Sequence, residues 1–146
     1  MARRARPGGE EDERSDARER TLILLYEAEA KSIAPTDVVD GQLLAPDALT
    51  VQLVTGVERH GPEIDDLITA HAKGWSLRRM PTIDRTILRI GTYELIERPD
   101  VPVAVVIDEA VELAKRFSTD DSGRFVNGVL SAIASVARRS TRGDRA

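Results

Sequence analysis

Apolar residues in this chain recur three and four positions apart, in one stretch after another, and prolines or glycines stand in the gaps. That spacing lines one side of an α-helix and does not fit the two-residue alternation of a half-buried strand. The last such stretch, Ser122 to Val136, puts Phe125, Val126, Val129, Leu130, Ile133 and Val136 on one face. It also holds Asn127-Gly128, a pair that between apolar residues ordinarily signals a β-hairpin. Glycine inside a helix costs ~1 kcal/mol relative to alanine. The helical period runs unbroken on both sides, so a helix is expected. Gly128 would let another helix approach where a side chain would clash, and Asn127 would bond across that contact or towards the surface.

The same period predicts the other elements. A first helix begins near Ser15 or Asp16 and turns Ala17, Leu24, Leu25 and Ala28 inward. A second starts at Pro46 with Leu49, Leu53, Val54 and Val57, and Gly61-Pro62 opens a third with Ile64, Leu67, Ile68 and His71. Gly74 ends the third, and the short piece "SLRRM" follows Trp75. Thr82 caps a helix carrying Ile83, Ile87, Leu88, Ile90 and Leu95; Pro102 opens one carrying Val106, Ala110, Val111, Leu113 and Ala114; Ser122 caps the last. Only Val101–Ile107 is β-branched enough to pass for a strand, and a lone strand has no partner. The class is all-α, with short links that suggest antiparallel neighbours.

With 41% apolar and 32% charged residues the chain has the composition of a soluble domain, and at 3% aromatics its core must be aliphatic. Trp75 is expected to plug a helix junction. No run of 18 apolar residues offers a membrane span, and no charged-then-apolar leader opens the chain. The absence of cysteine excludes disulfides, thiolate metal sites and a cysteine nucleophile, so a cytoplasmic location is the default. The net charge of −4 is uneven: residues 1–20 balance to zero and 138–146 carry +3, which leaves −7 for the middle. Residues 1–13 mix Gly, Pro and dense charge without apolar period and are expected to be a disordered arm. A helical domain is expected over 14–138, followed by a flexible basic tail over 139–146.

Catalytic patterns are missing. His60 and His71 are the only histidines, neither sits at zinc-ligand spacing, and no glycine-rich loop precedes a helix with a phosphate-binding lysine. Asp108, Glu109 and Glu112 make a solvated face, and Asp120 and Asp121 suit a helix start. No enzyme, metal site or cofactor is expected. Arg14 and Arg18 share a helix face, with Arg20 nearby; guanidinium groups suit phosphate and stack on bases. Interleaved Asp16 and Glu19 favour, on composition alone, an ordinary charged face. Arg85 and Arg89 form a second pair four apart. Taken alone, these residues do not separate an RNA binder from a helical protein-interaction module.

Longer motifs narrow the choice. "DDS" at Asp120–Ser122 followed by "FVNGVL" at Phe125–Leu130 resembles the C-terminal signature of the NusB family of transcription antitermination factors. "IDRTILRIGTYEL" (83–95) and "DVPVAVVIDEAVELAKRFS" (100–118) stand in that family's order and spacing, "ARERTLILLYEAEA" (17–30) fits its first helix, and "HGPEIDDLITAH" with Trp75 and "SLRRMPTIDR" resembles the actinobacterial branch. The resemblance covers roughly 14–136. It implies two packed three-helix bundles and a partner, NusE, which is also the S-ten protein of the small ribosomal subunit. It implies joint binding of boxA, a short single-stranded RNA signal in ribosomal RNA leader transcripts, within an antitermination complex on RNA polymerase. Carried over residue by residue, it implies RNA contact at Arg14, Arg18, Arg20, Asp121 and Phe125, and NusE contact at Tyr26, Asp84, Arg85 and Arg89. Two further readings remain: a helical dimerisation module without RNA, since some members self-associate, and a stand-alone relative of the NusB-like domain of RNA cytosine methyltransferases.

Overall fold

The protein, described here by a computed structural model over residues 10–145, folds into seven α-helices and one 3-10 turn, with no strand among the described residues. The helices are α1 (Glu10–Lys31), α2 (Pro35–Asp40), α3 (Ala48–Arg59), α4 (Gly61–His71), α5 (Thr82–Glu97), α6 (Val103–Phe117) and α7 (Asp120–Arg145), and the 3-10 turn is Leu77–Arg79. α1, α2 and α3 pack on one another, as do α5, α6 and α7. The two groups meet where α1 and α3 lie on α5, and α4 runs along α5 and α7. This is the expected all-α pair of three-helix bundles, with α4 as an extra rib.

The core is aliphatic. Leu22, Leu53, Ile64, Ile68, Ile87, Leu88, Leu95, Leu130 and Ile133 are fully buried, and each falls on the inner side of its helix. Val136, expected on that side, is 41% exposed. Trp75 is half-buried and meets Phe125 edge-on, with ring centroids 5.0 Å apart.

Several boundaries differ from the sequence pattern, each for a local reason. α1 begins at Glu10, ahead of Ser15. Glu13 puts an acidic group in its first turn, where the helix dipole favours it. Residues 1–9 lie outside the described residues. α7 continues as helix through the stretch after Arg138 that was expected to be tail. α2 is too short for a period to show, and only Val38 of its six residues is buried. Asp47 rather than Pro46 caps α3, its carboxylate accepting from the Thr50 amide at 2.8 Å. Thr119 rather than Ser122 caps α7, its hydroxyl accepting from the Ser122 amide at 2.9 Å. α1 closes on Ser32 at φ 56, with Ile33 N–H donating to Ala28 O at 3.0 Å and Ser32 N–H to Glu29 O at 3.2 Å, the two bonds of a Schellman cap without its usual glycine.

The close approach expected at Gly128 is elsewhere. A Cβ on Gly128 would meet nothing within 4 Å, whereas one on Gly91 would lie 2.7 Å from the Leu130 side chain and one on Gly56 2.3 Å from the Tyr93 ring. Gly91 is thus the glycine that brings α5 and α7 together. Asn127 accepts from Ser131 Oγ at 3.1 Å on the surface of its own helix.

A candidate nucleic-acid and partner interface

Arg18 does not face outward. Its Nε and Nη2 each donate at 2.8 Å to the two carboxylate oxygens of Glu94, and Nη1 lies 3.8 Å from Glu109. Arg98 Nη1 donates to the same Glu94 at 3.1 Å. Arg18 and Glu94 are 2% and 1% exposed, so the expectation of RNA contact at Arg18 is corrected: it is a bidentate tie from α1 to α5. Burial works against its charge, but the hydrogen bonds and charge of Glu94, with Glu109, hold its pKa above the ordinary value. The i, i+4 spacing to Arg14 was real, yet one turn on from Arg18 the same face carries Leu22 into the core.

Arg14 and Arg20 are exposed. Arg14 borders an open recess with Asp47, Gln52 and Arg98, and Arg20 Nη2 donates to Gln42 at 2.8 Å. They flank the link between α2 and α3, where Leu43 and Leu44 stand in solvent.

Asp84 is 1% exposed, which corrects its assignment to a protein-docking surface. Its Oδ2 accepts from Ser122 Oγ at 2.7 Å, and Ser118 and Thr119 hydroxyls close around that serine at 2.9 and 3.0 Å. The carboxylate therefore pins the start of α7 to the start of α5. Next to this pin, Asp121 is exposed and paired with Arg124. Phe125 is half-buried against Trp75, and Gly128 is bare on the outer surface one turn further on.

Arg85 and Arg89 are tied into ion pairs within the fold rather than free cations. Arg85 donates to Leu77 O at 2.9 Å and Met80 O at 3.2 Å, and pairs with Glu29 of α1. Arg89 grips Asp65 of α4 through Nε at 2.9 Å and Nη2 at 3.1 Å, with Glu29 3.7 Å away. One turn before Glu29, Tyr26 is 45% exposed, and one turn before that Ile23 is 48% exposed. The sequence reading missed Ile23; its three-residue spacing from Tyr26 was the available signal. Beside Arg89, a cleft of about 340 Å³ opens between α1 and α4, with Ile33 and Val57 in its walls and Glu58 at its rim.

The expected RNA residues are therefore split. Arg14 borders the same recess as Arg98, just past the C-terminal end of α5, whereas Asp121 and Phe125 follow the pin at its N-terminal end. A helix of sixteen residues separates these ends by ~24 Å at 1.5 Å per residue. Among the described residues, His60, Glu63 and Glu97 bring three ligand-capable atoms within 4.8 Å. The two carboxylates address different ring nitrogens, each at 3.7 Å, rather than converging on one.

Residues 15–135 match the model of the NusB family. A transcription antitermination protein NusB from Saccharopolyspora erythraea is 49% identical over 132 residues, spanning 86% of this chain and 89% of that protein. Among solved structures, NusB of T. maritima superposes with a TM-score of 0.77 at 34% identity, covering 84% of this chain and 90% of that one. A crystal structure of the antitermination factors NusB and NusE in complex with double-stranded RNA gives 0.73 at 30% identity, covering 86% and 98%.

Proposed function

The chain belongs to the NusB family, and from that membership we propose that it is an RNA-binding transcription antitermination factor that works as a pair with a NusE protein. It acts by assembly and not by catalysis, in the cytoplasm, within a complex on RNA polymerase. No described helix is long and apolar enough to cross a membrane. The NusB–NusE–RNA relative supports both partners.

The observation that carries this reading is the adjacency of Asp84 and Arg85. Asp84 fixes the start of α7, and Arg85 fixes α1 through Glu29. Two exposed surfaces thereby share one edge of the molecule. The α1 side, with Ile23 and Tyr26 beside the Glu29–Arg85–Arg89 ion pairs, suits a protein partner, for which partly apolar, aromatic contact is the rule. The α7 side, with Asp121, Phe125 and the bare backbone of Gly128, suits a base laid flat against a helix. Arg14 and Arg20 would hold phosphates of a strand that runs on past the body. An RNA and a protein docked on these neighbouring surfaces touch each other, so each strengthens the other's binding.

The test is an RNA titration, by anisotropy or gel shift, with boxA-type RNA as single strand and as duplex, with and without NusE. Tightest binding of the single strand in the presence of NusE is expected. No complex with either RNA in either condition would remove the proposal.

A further inference from the structure

Resting on that RNA-binding reading, we propose that the link between α4 and α5 carries a second phosphate-holding site, built by Arg78 and Arg79 on the 3-10 turn. Lys73 to Met80 holds three cations and no acid, within a middle section of the chain whose net charge is −7. Arg78 and Arg79 are exposed, and their side chains make no ion pair among the described residues. Their neighbours in the fold, Arg85 and Arg89, are both committed to carboxylates.

Two features make this a built surface and not two loose cations. The turn is held from below, since Arg85 donates to the carbonyls of Leu77 and Met80, the residues on either side of the pair. Its other end is held by Trp75, which packs edge-on against Phe125 of α7. The arginines therefore stand on a held turn three and four residues after Trp75, whose ring meets Phe125 of the helix that also carries Asp121 and Gly128. A base against Phe125 sets its flanking phosphates within reach of this turn, and a rigid guanidinium fork holds phosphate with little loss of side-chain freedom. The ligand class is single-stranded RNA; the site reads backbone and not sequence.

The experiment compares the wild-type chain, the R78A/R79A variant and the R78K/R79K variant, each with NusE and single-stranded boxA-type RNA, across about 50 to 200 mM salt. Each lost phosphate contact on a single strand flattens the log–log salt slope by ~0.7, so two flatten it by ~1.4, and the drop in affinity across that range shrinks about sevenfold. The alanine variant is expected to show that change with NusE affinity unaltered, and the lysine variant to keep the wild-type slope. An unchanged slope and affinity in R78A/R79A would overturn the site. So would a loss confined to NusE binding, which would assign the turn to the protein partner. If the wild-type chain binds no RNA, the RNA-binding reading itself falls and takes this site with it, a result distinct from a variant that binds as well as wild type.

Discussion

At the C-terminal end of α5, Arg18, Glu94 and Arg98 meet inside the protein, and Arg138 of α7 reaches over to donate to Leu95 O at 2.8 Å, Val101 O at 2.9 Å and Arg98 O at 3.1 Å. At the N-terminal end, Asp84 is turned inward while Asp121, Arg78 and Arg79 face out. The first end uses charge to join helices from both bundles and cap the exposed carbonyls of α5. Burial there holds the Arg138 pKa below its ordinary value, against the pull of Asp100 and Glu94. The second end uses one buried carboxylate as a fastener and leaves Arg78 and Arg79 in solvent. Polar groups in a helical adaptor thus divide by depth, and depth decides whether a mutation is felt as lost stability or lost binding.

The sharpest way to break that contrast is Arg18→Ala. It strands the Glu94 carboxylate, with only Arg98 as a remaining partner, and removal of one member of a buried pair costs about 3–5 kcal/mol. For a domain of this size that lowers Tm by roughly 10 °C or more, measured by circular dichroism. Arg18→Lys recovers little, because an ammonium cannot fill both bonds of the fork. A folded Arg18→Ala protein of unchanged Tm with weakened RNA binding would return Arg18 to the RNA surface.

Ser122→Ala comes next. It removes the donor to Asp84 and costs about 1–3 kcal/mol, since it leaves a buried acceptor oxygen without its partner. Charge reversal at Asp84 is expected to damage the fold rather than the NusE contact alone. Tyr26→Ala moves in the other direction: its side chain is half exposed, so Tm changes little, while NusE affinity falls by about 1–2 kcal/mol as for an aromatic contact at an interface. Isothermal titration alongside thermal melts separates the two effects.

The pattern of apolar residues was enough for six of the seven helices, because Leu53, Ile64, Ile68, Ile87, Leu130 and Ile133 sit on long, regular faces. It missed α2, where six residues give no period. For the site, spacing told which face a charge shares but not how deep it lies. Arg18 meets Glu94 76 positions away, and Asp84 meets Ser122 38 away. Those partners come from packing between bundles, which no local window contains. Exposure of Tyr26 and Phe125 depends in the same way on where neighbouring helices stop.

Gly128→Ala is the smallest change and the one that tests the reading of α7 most directly. The sequence pattern assigns Gly128 to helix contact, and contact would make alanine destabilising. The structure puts that burden on Gly91, where an added methyl meets Leu130 in a filled core and is expected to cost about 1–3 kcal/mol. At Gly128 the added methyl meets nothing, and relief from glycine's backbone freedom is expected to raise stability by about 0.5–1 kcal/mol. Urea unfolding checks this as a higher midpoint at unchanged slope. If the bare backbone there receives a base beside Phe125, the same variant binds RNA less tightly while unfolding later. Opposite signs from one methyl would place Gly128 with the binding surface, whereas a loss of stability would restore it to the packing of the bundle.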